Sequence, residues 1–388
     1  MAAGGAAWGL IIARAWLVYT LSGSSLWVGI VTFTAMAPMF LFPPVAGYMA
    51  DRFNRRNLIA ILFAVQFAHN VVLVILSVTD AIAIWHIVAL SFVNGCARAS
   101  QMPAAQALLP NLVSKEDLLN AISLNAATTQ GSRLVGAALI APLMSIFGPE
   151  GAFAACTFLY VLSLILVLNI KTVSIGAMDE EETAFNNFFA GLRFVYSHPL
   201  VLPLMVTVFL HCCLTMSFES LLPVLSEGFF SDGGMGATYL MMAVGAGALI
   251  LVLAIAGVRD SLLRGRFLLF TALLSGIGAV SLGLATTMEL ALISCLVMGG
   301  AQAAYMAIAG AVVQMSAPDN MRGRVMSVYL WHIGGMMALF NLVNAGLADI
   351  IGAGIVFIVT GVAFVVAVLI SLLSKPLRDF YTLGKIAS

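Results

Sequence analysis

Gly47-Tyr48-Met49-Ala50-Asp51-Arg52-Phe53-Asn54-Arg55-Arg56 is a short, basic break between two apolar runs. Residues 26–46 before it carry no charged side chain, and residues 57–79 after it carry no Lys, Arg, Asp or Glu. Each flank can cross the hydrocarbon core of a bilayer, which takes about 20 apolar residues as a helix. The same alternation runs through the chain. Of its 388 residues 62% are hydrophobic and only 9% charged. A soluble domain carries charge on about a quarter of its residues, so this chain cannot clothe a water-facing surface of that kind.

Spans are expected near 3–22, 26–49, 57–77, 81–102, 118–146, 152–170, 200–225, 237–258, 267–285, 290–312, 325–349 and 355–374. The apolar N-terminus reads as the first span rather than a signal peptide, because it has no basic leading region and eleven further apolar runs follow. With twelve spans and a cytoplasmic start, fifteen of the seventeen Lys and Arg fall on the cytoplasmic side, Arg98 at a helix end among them. The other two, Arg14 and Arg133, lie within spans, and the opposite loops carry only acids such as Asp80, Glu150, Glu227, Asp232 and Glu289. Both termini are therefore expected in the cytoplasm of a cell inner (plasma) membrane protein.

The expected fold is all-α, with twelve transmembrane helices in two pseudo-symmetric six-helix bundles. The first covers residues 1–170 and the second 199–388, with a short cytoplasmic tail. A polar linker at 171–198 joins them; it contains the acidic run Asp179 to Glu182 and an amphipathic piece from Phe185 to Tyr196. The halves echo each other. Asp51-Arg52-Phe53-Asn54-Arg55 after the second span and Asp260-Ser261-Leu262-Leu263-Arg264 after the eighth share one D-x-x-x-R spacing. Repeated halves of this kind are a transporter plan, with substrate bound near the midplane between them.

Net charge is zero and gives no reason to expect a nucleic-acid partner. No G-x-x-x-x-G-K-[ST] string is present, so an ion gradient is the simplest energy source, and no cofactor is expected. Cys96, Cys156, Cys212, Cys213 and Cys295 lie in apolar segments without metal-ligand spacing.

An ionisable group inside a span is costly unless paired or wet, which makes Arg14, Arg133, His211 and Glu219 candidates for a substrate or proton pathway. His211 and Glu219 are eight residues apart, which puts them on one face if the seventh span is a continuous helix. Glu219 is then placed to load a proton and His211 to relay it. Gln302, Tyr305, His332, Asn341 and Asn344 are weaker polar candidates. Met216, Met241, Met242, Met298, Met306, Met336 and Met337 are read either as a pliable cavity wall or as ordinary packing.

The opening decapeptide resembles the signature G-x-x-x-D-R-x-x-R-R/K that major facilitator transporters carry between their second and third spans. Gly191-Leu192-Arg193-Phe194-Val195, Leu221-Leu222-Pro223-Val224 and Arg322-Gly323-Arg324-Val325-Met326-Ser327 resemble the branch of siderophore exporters, macrolide exporters and lysophospholipid transporters. Gly131 to Pro142 resembles the glycine–proline motif of antiporters, with Ala137 where a proline would follow Gly136. Gly47 allows close helix approach, and Asp51 is a negative charge suited to the positive end of a neighbouring helix. The resemblance names that neighbour as the eleventh helix and the contact as a cytoplasmic latch. Arg52, Arg55 and Arg56 set topology or pair with acids and lipid phosphates, and Asp260 with Arg264 forms a weaker second latch. The function implied is proton-coupled export of amphipathic small molecules by a monomer among membrane lipids. Lysophospholipid movement between leaflets is the alternative within transport; a non-transporting sensor or assembly factor is the alternative outside it.

Overall fold

The computed structural model describes residues 1–42, 49, 52–114, 118–171, 184–228, 235–255, 260–318 and 321–385. Among them every regular element is helical. In the first half, α1 is Ala2–Ser22, α2 Ser25–Leu41, α3 Arg55–Val78, α4 Ile84–Leu108 and α5 Leu118–Leu168. In the second, α6 is Ala184–Ser197, α7 Val201–Leu214, α8 Leu222–Glu227, α9 Met235–Ile255 and α10 Ser261–Gly283. They are followed by α11 Met288–Ser316, α12 Arg322–Ile351, α13 Ala353–Ser371 and α14 Lys375–Leu383.

Side chains at the chain reversals start several helices. Ser24, Asn54, Asp260 and Thr287 each accept a backbone N–H from the first turn of α2, α3, α10 and α11. The fifth and sixth expected spans have no loop between them. They are the two arms of α5, which turns at Gly148 with φ 64° and ψ −164°, a conformation only glycine adopts easily, and Pro149 then opens the second arm.

Eight helices among the described residues are long and apolar enough to cross a membrane by themselves. The other expected spans fall on α2, α4, the first arm of α5 and α7. Two of these, α4 and α5, are made less apolar by residues such as Asn94, Arg98, Gln106 and Arg133. The reason lies in the packing described below: these helices turn toward the space between the halves.

The seventh span departs from expectation. It is not one helix over 200–225: α7 ends at Leu214, and Glu219 sits in a non-helical stretch before α8. Hydroxyls there compete with helical bonding. Ser217 Oγ donates to Cys212 O and Met337 O, while Ser220 donates from its backbone N–H and its Oγ to Asn341. Amphipathic α6 meets α7 at a bend of 104° and packs on α12, where Tyr196 Oη lies 3.2 Å from His332 Nε2. The second part of the expected linker is thus a docked helix, while the acidic run lies outside the described residues. The tail helix α14 is docked too, with Leu377, Phe380 and Tyr381 buried and Phe380 O against Gly265 of α10.

Within each half, α1 packs on α5 and α3 on α4 and α5, as α11 packs on α9 and α10 and α10 on α13. Two pairs cross between the bundles: α2 with α12, and α5 with α9. In both, the second span of one half meets the fifth of the other, as a pseudo-two-fold relation requires. Small residues make these crossings close. A Cβ on Gly245 of α9 would lie 3.0 Å from Leu134 N, and one on Gly29 of α2 would lie 3.2 Å from Leu342 Cα.

Candidate transport cavity

Between the halves lies a cavity of about 470 Å³. Its walls come from α1 (Trp8, Ile11, Arg14), α2 (Val31, Thr32, Met36, Met39), α4 (Asn94, Arg98, Met102, Gln106), Glu219, and α12 (Ser327, Trp331, Met337). The volume falls in the range of small-molecule sites, and the lining has their usual form of an apolar wall with few polar groups. Most of the lining belongs to the half of the molecule nearer the arginine-rich end. At that end Phe40 of α2 stacks on Trp331 of α12, with ring centroids 4.7 Å apart.

The polar groups are held from several elements. Arg14, 4% exposed, donates from Nε to Leu10 O at 3.2 Å and from Nη1 to Ser91 Oγ at 2.9 Å. Arg133 of α5 reaches across the bundle interface to Glu219, Nη2 to Oε1, at 3.5 Å. The Arg133 guanidinium also lies 4.2 Å from the centre of the Trp8 ring, and that of Arg98 lies 5.9 Å from the same ring. Gly245 lets α9 approach the backbone of Arg133 and Leu134, so the close crossing fixes where the ion pair forms.

The opposite end of the interface is tied by different groups. Asp349 near the C-terminus of α12 accepts from Ser24 Oγ at 2.5 Å, Ser25 N at 2.7 Å and Leu26 N at 3.0 Å. These donors are the cap and first turn of α2, the positive end of that helix. Beside them, Tyr19 Oη donates to Glu227 at 2.9 Å, joining α1 to the end of α8.

Arg14 and Glu219 line one space, and Arg133 reaches Glu219 from α5. His211 does not join them. It is wholly buried in the second bundle, with Nε2 3.0 Å from Ser275 Oγ and its ring between Tyr305 and Phe364. The helical-face pairing of His211 with Glu219 fails because the helix ends between them. Gln302 donates to Thr215 O at 2.7 Å, and Asn341 accepts from Ser220 and donates to Met337 O, so both brace the non-helical stretch that carries Glu219. Asn344 does the same through Ser217 O, whereas Tyr305 donates to Thr207 inside the second bundle. Of the seven methionines singled out, Met337 lines the cavity; Met241 and Met298 are core residues.

In the signature, Gly47 and Asp51 lie outside the described residues. Arg52 lies before the Asn54 cap, Arg55 opens α3, and Arg56 Nη2 donates to Leu168 O at 2.5 Å, placing a cation on the negative end of α5. Asp260 caps its own helix through Leu263 N at 2.9 Å, and Arg264 Nη1 lies 3.2 Å from Met315 Sδ.

Sequence reasoning missed Trp8, Arg98, Trp331 and Asp349. Arg98 carried a usable signal: it stands ten residues before the end of α4, about 15 Å along the helix, too deep for an end residue. Asp349 offered none, since its partners are more than 320 residues away in sequence.

Two bundles, a polar-studded cavity between them and paired second-to-fifth crossings define a membrane transporter of the major facilitator type, not an enzyme. Over residues 1–387 the chain matches the family described as "Transmembrane secretion effector", and it belongs to that major facilitator family. It is similar to the staphyloferrin A transporter of Staphylococcus aureus (strain NCTC 8325 / PS 47), at 23% identity across 90% of this chain and 87% of that protein. The multidrug efflux pump Tap of Mycolicibacterium fortuitum is 23% identical across 95% of this chain and 92% of its own. Among solved structures, the nucleoside transporter NupG aligns with TM-score 0.77 at 10% identity, covering 96% of each chain. The D-xylose–proton symporter aligns with TM-score 0.73 at 16% identity, covering 100% of this chain and 98% of its own.

Proposed function

We propose that the chain is a proton-coupled exporter of amphipathic small molecules, working by alternating access in a cell inner membrane with both termini cytoplasmic. The moving bodies are residues 1–170 and 199–388, joined by 171–198. The observation that carries the reading is the Arg133–Glu219 pair, which spans the two bundles at the cavity wall. A proton taken up by Glu219 removes the negative member of that pair, so loading and bundle contact are coupled through one atom. The form described here has its cavity toward the basic end and its opposite end tied by Asp349 and Tyr19, which fits the inward-facing stage. Efflux relatives and the siderophore transporter support export of small molecules.

The test uses protein in liposomes with an imposed proton gradient and a panel of drugs and siderophores. Glu219→Gln is expected to abolish gradient-driven transport while retaining substrate exchange. Normal pumping against a gradient by Glu219→Gln would remove Glu219 from the coupling.

A further inference from the structure

We infer that the cavity selects amphipathic anions, with Arg98 as the group that receives the negative charge. The inference rests on the transporter reading and names the substrate class of the same site. Among the described residues the cavity lining holds two guanidiniums, those of Arg14 and Arg98, and one carboxylate, that of Glu219. Glu219 is already paired with Arg133 at 3.5 Å. Among the described residues neither Arg14 nor Arg98 has an ion pair. Arg14 is held by a carbonyl and a hydroxyl, and Arg98 has the Trp8 ring beside it. With one carboxylate shared among these guanidiniums, the excess of positive charge is costly in a water-poor interior, and an anion entering the cavity relieves that cost.

The two arginines differ in availability. Arg14 is buried and has spent donors on Leu10 and Ser91, so it contributes a fixed positive field. Arg98 is half-buried and lines the space, with the five-donor fork that suits a carboxylate or phosphate. In the same lining, Met36, Met39, Trp331 and Met337 offer an adaptable apolar wall for the rest of the molecule.

A cation finds less. Among the described residues the one carboxylate in the lining is taken by Arg133, and the same guanidinium lies 4.2 Å from the Trp8 ring centre. The Trp8 face that would otherwise attract an ammonium group is therefore occupied.

The test compares two probes of one shape and opposite charge, naphthoxyacetate and naphthoxyethylammonium, by equilibrium dialysis against the purified full chain in detergent. The carboxylate is expected to bind and the ammonium to bind far more weakly. Loss of one charge-assisted contact in Arg98→Gln should weaken carboxylate binding about 10- to 100-fold. Arg98→Lys, which keeps the charge but not the fork, should weaken binding less than Arg98→Gln does, which separates lost charge from lost folding. Equal or tighter binding of the ammonium overturns the inference, as does unchanged carboxylate affinity in Arg98→Gln or binding of neither probe. An ammonium probe that is bound and pumped leaves the transport reading standing and removes the anion preference. A carboxylate that binds through Arg98 but is never driven by a proton gradient keeps the preference and removes the coupling.

Discussion

Asp349→Asn should loosen the end of the molecule opposite the arginine-rich loops. The carboxylate holds the Ser24 hydroxyl and the backbone N–H groups of Ser25 and Leu26 at 2.5–3.0 Å. The amide keeps the size and one acceptor oxygen but loses the charge. The attraction of an anion to a helix N-terminus is worth about 0.3–1 kcal/mol. A hydrogen bond to a charged group exceeds a neutral one by about 1 kcal/mol. Asp349 is exposed to solvent, which screens both effects, so the total falls at about 1–2 kcal/mol. That shifts the equilibrium between tied and separated ends about 5- to 30-fold. Spin labels at Leu21 and Ile350, 47% and 79% exposed on the ends of α1 and α12, report the separation by double electron–electron resonance. Cys96, the native cysteine that is not fully buried, would first be replaced by Ala. The parent should give one short distance, and Asp349→Asn a second, longer population. Ser24→Ala, which removes one donor and leaves the charge, should produce a smaller shift. Identical distance distributions in the parent and Asp349→Asn would show that the end is held by packing, such as that of Gly29 against Ala345, and not by the capped charge.

Two further outcomes follow from the interface. Arg133→Gln leaves Glu219, 4% exposed, without its counter-charge, and should destabilise the protein by about 3–5 kcal/mol. Arg133→Gln combined with Glu219→Gln should recover most of that in thermal unfolding in detergent; a double variant as unstable as the single one would show the pair to be energetically idle. Gly245→Ala places a Cβ 3.0 Å from Leu134 N and should force α9 and α5 apart, cutting transport more than it lowers folding stability, with a cost of about 1–3 kcal/mol. Unimpaired transport by a well-folded Gly245→Ala would show that the crossing tolerates the extra atom.

The sequence by itself determined the membrane class and the all-helical, many-span plan. These depend on local quantities: the length of an apolar run, and the cost of moving a charge through lipid. The signature at Gly47 to Arg56 and the repeated D-x-x-x-R spacing carried the transporter family by the same local means. Which polar side chains share a space was decided by tertiary structure, because it depends on which helices cross and at what depth. Arg98 and Arg266 both read as cytoplasmic-side arginines in the sequence, yet Arg98 lines the cavity and Arg266 does not. His211 and Glu219 share a helical spacing, but hydroxyl bonds from Ser217 and Ser220 to α12 hold the chain out of helix between them and send the two to different places. Asp349 and Ser24 lie 325 residues apart, and only the packing of α2 on α12 turns an ordinary acid at a helix end into the cap of another helix.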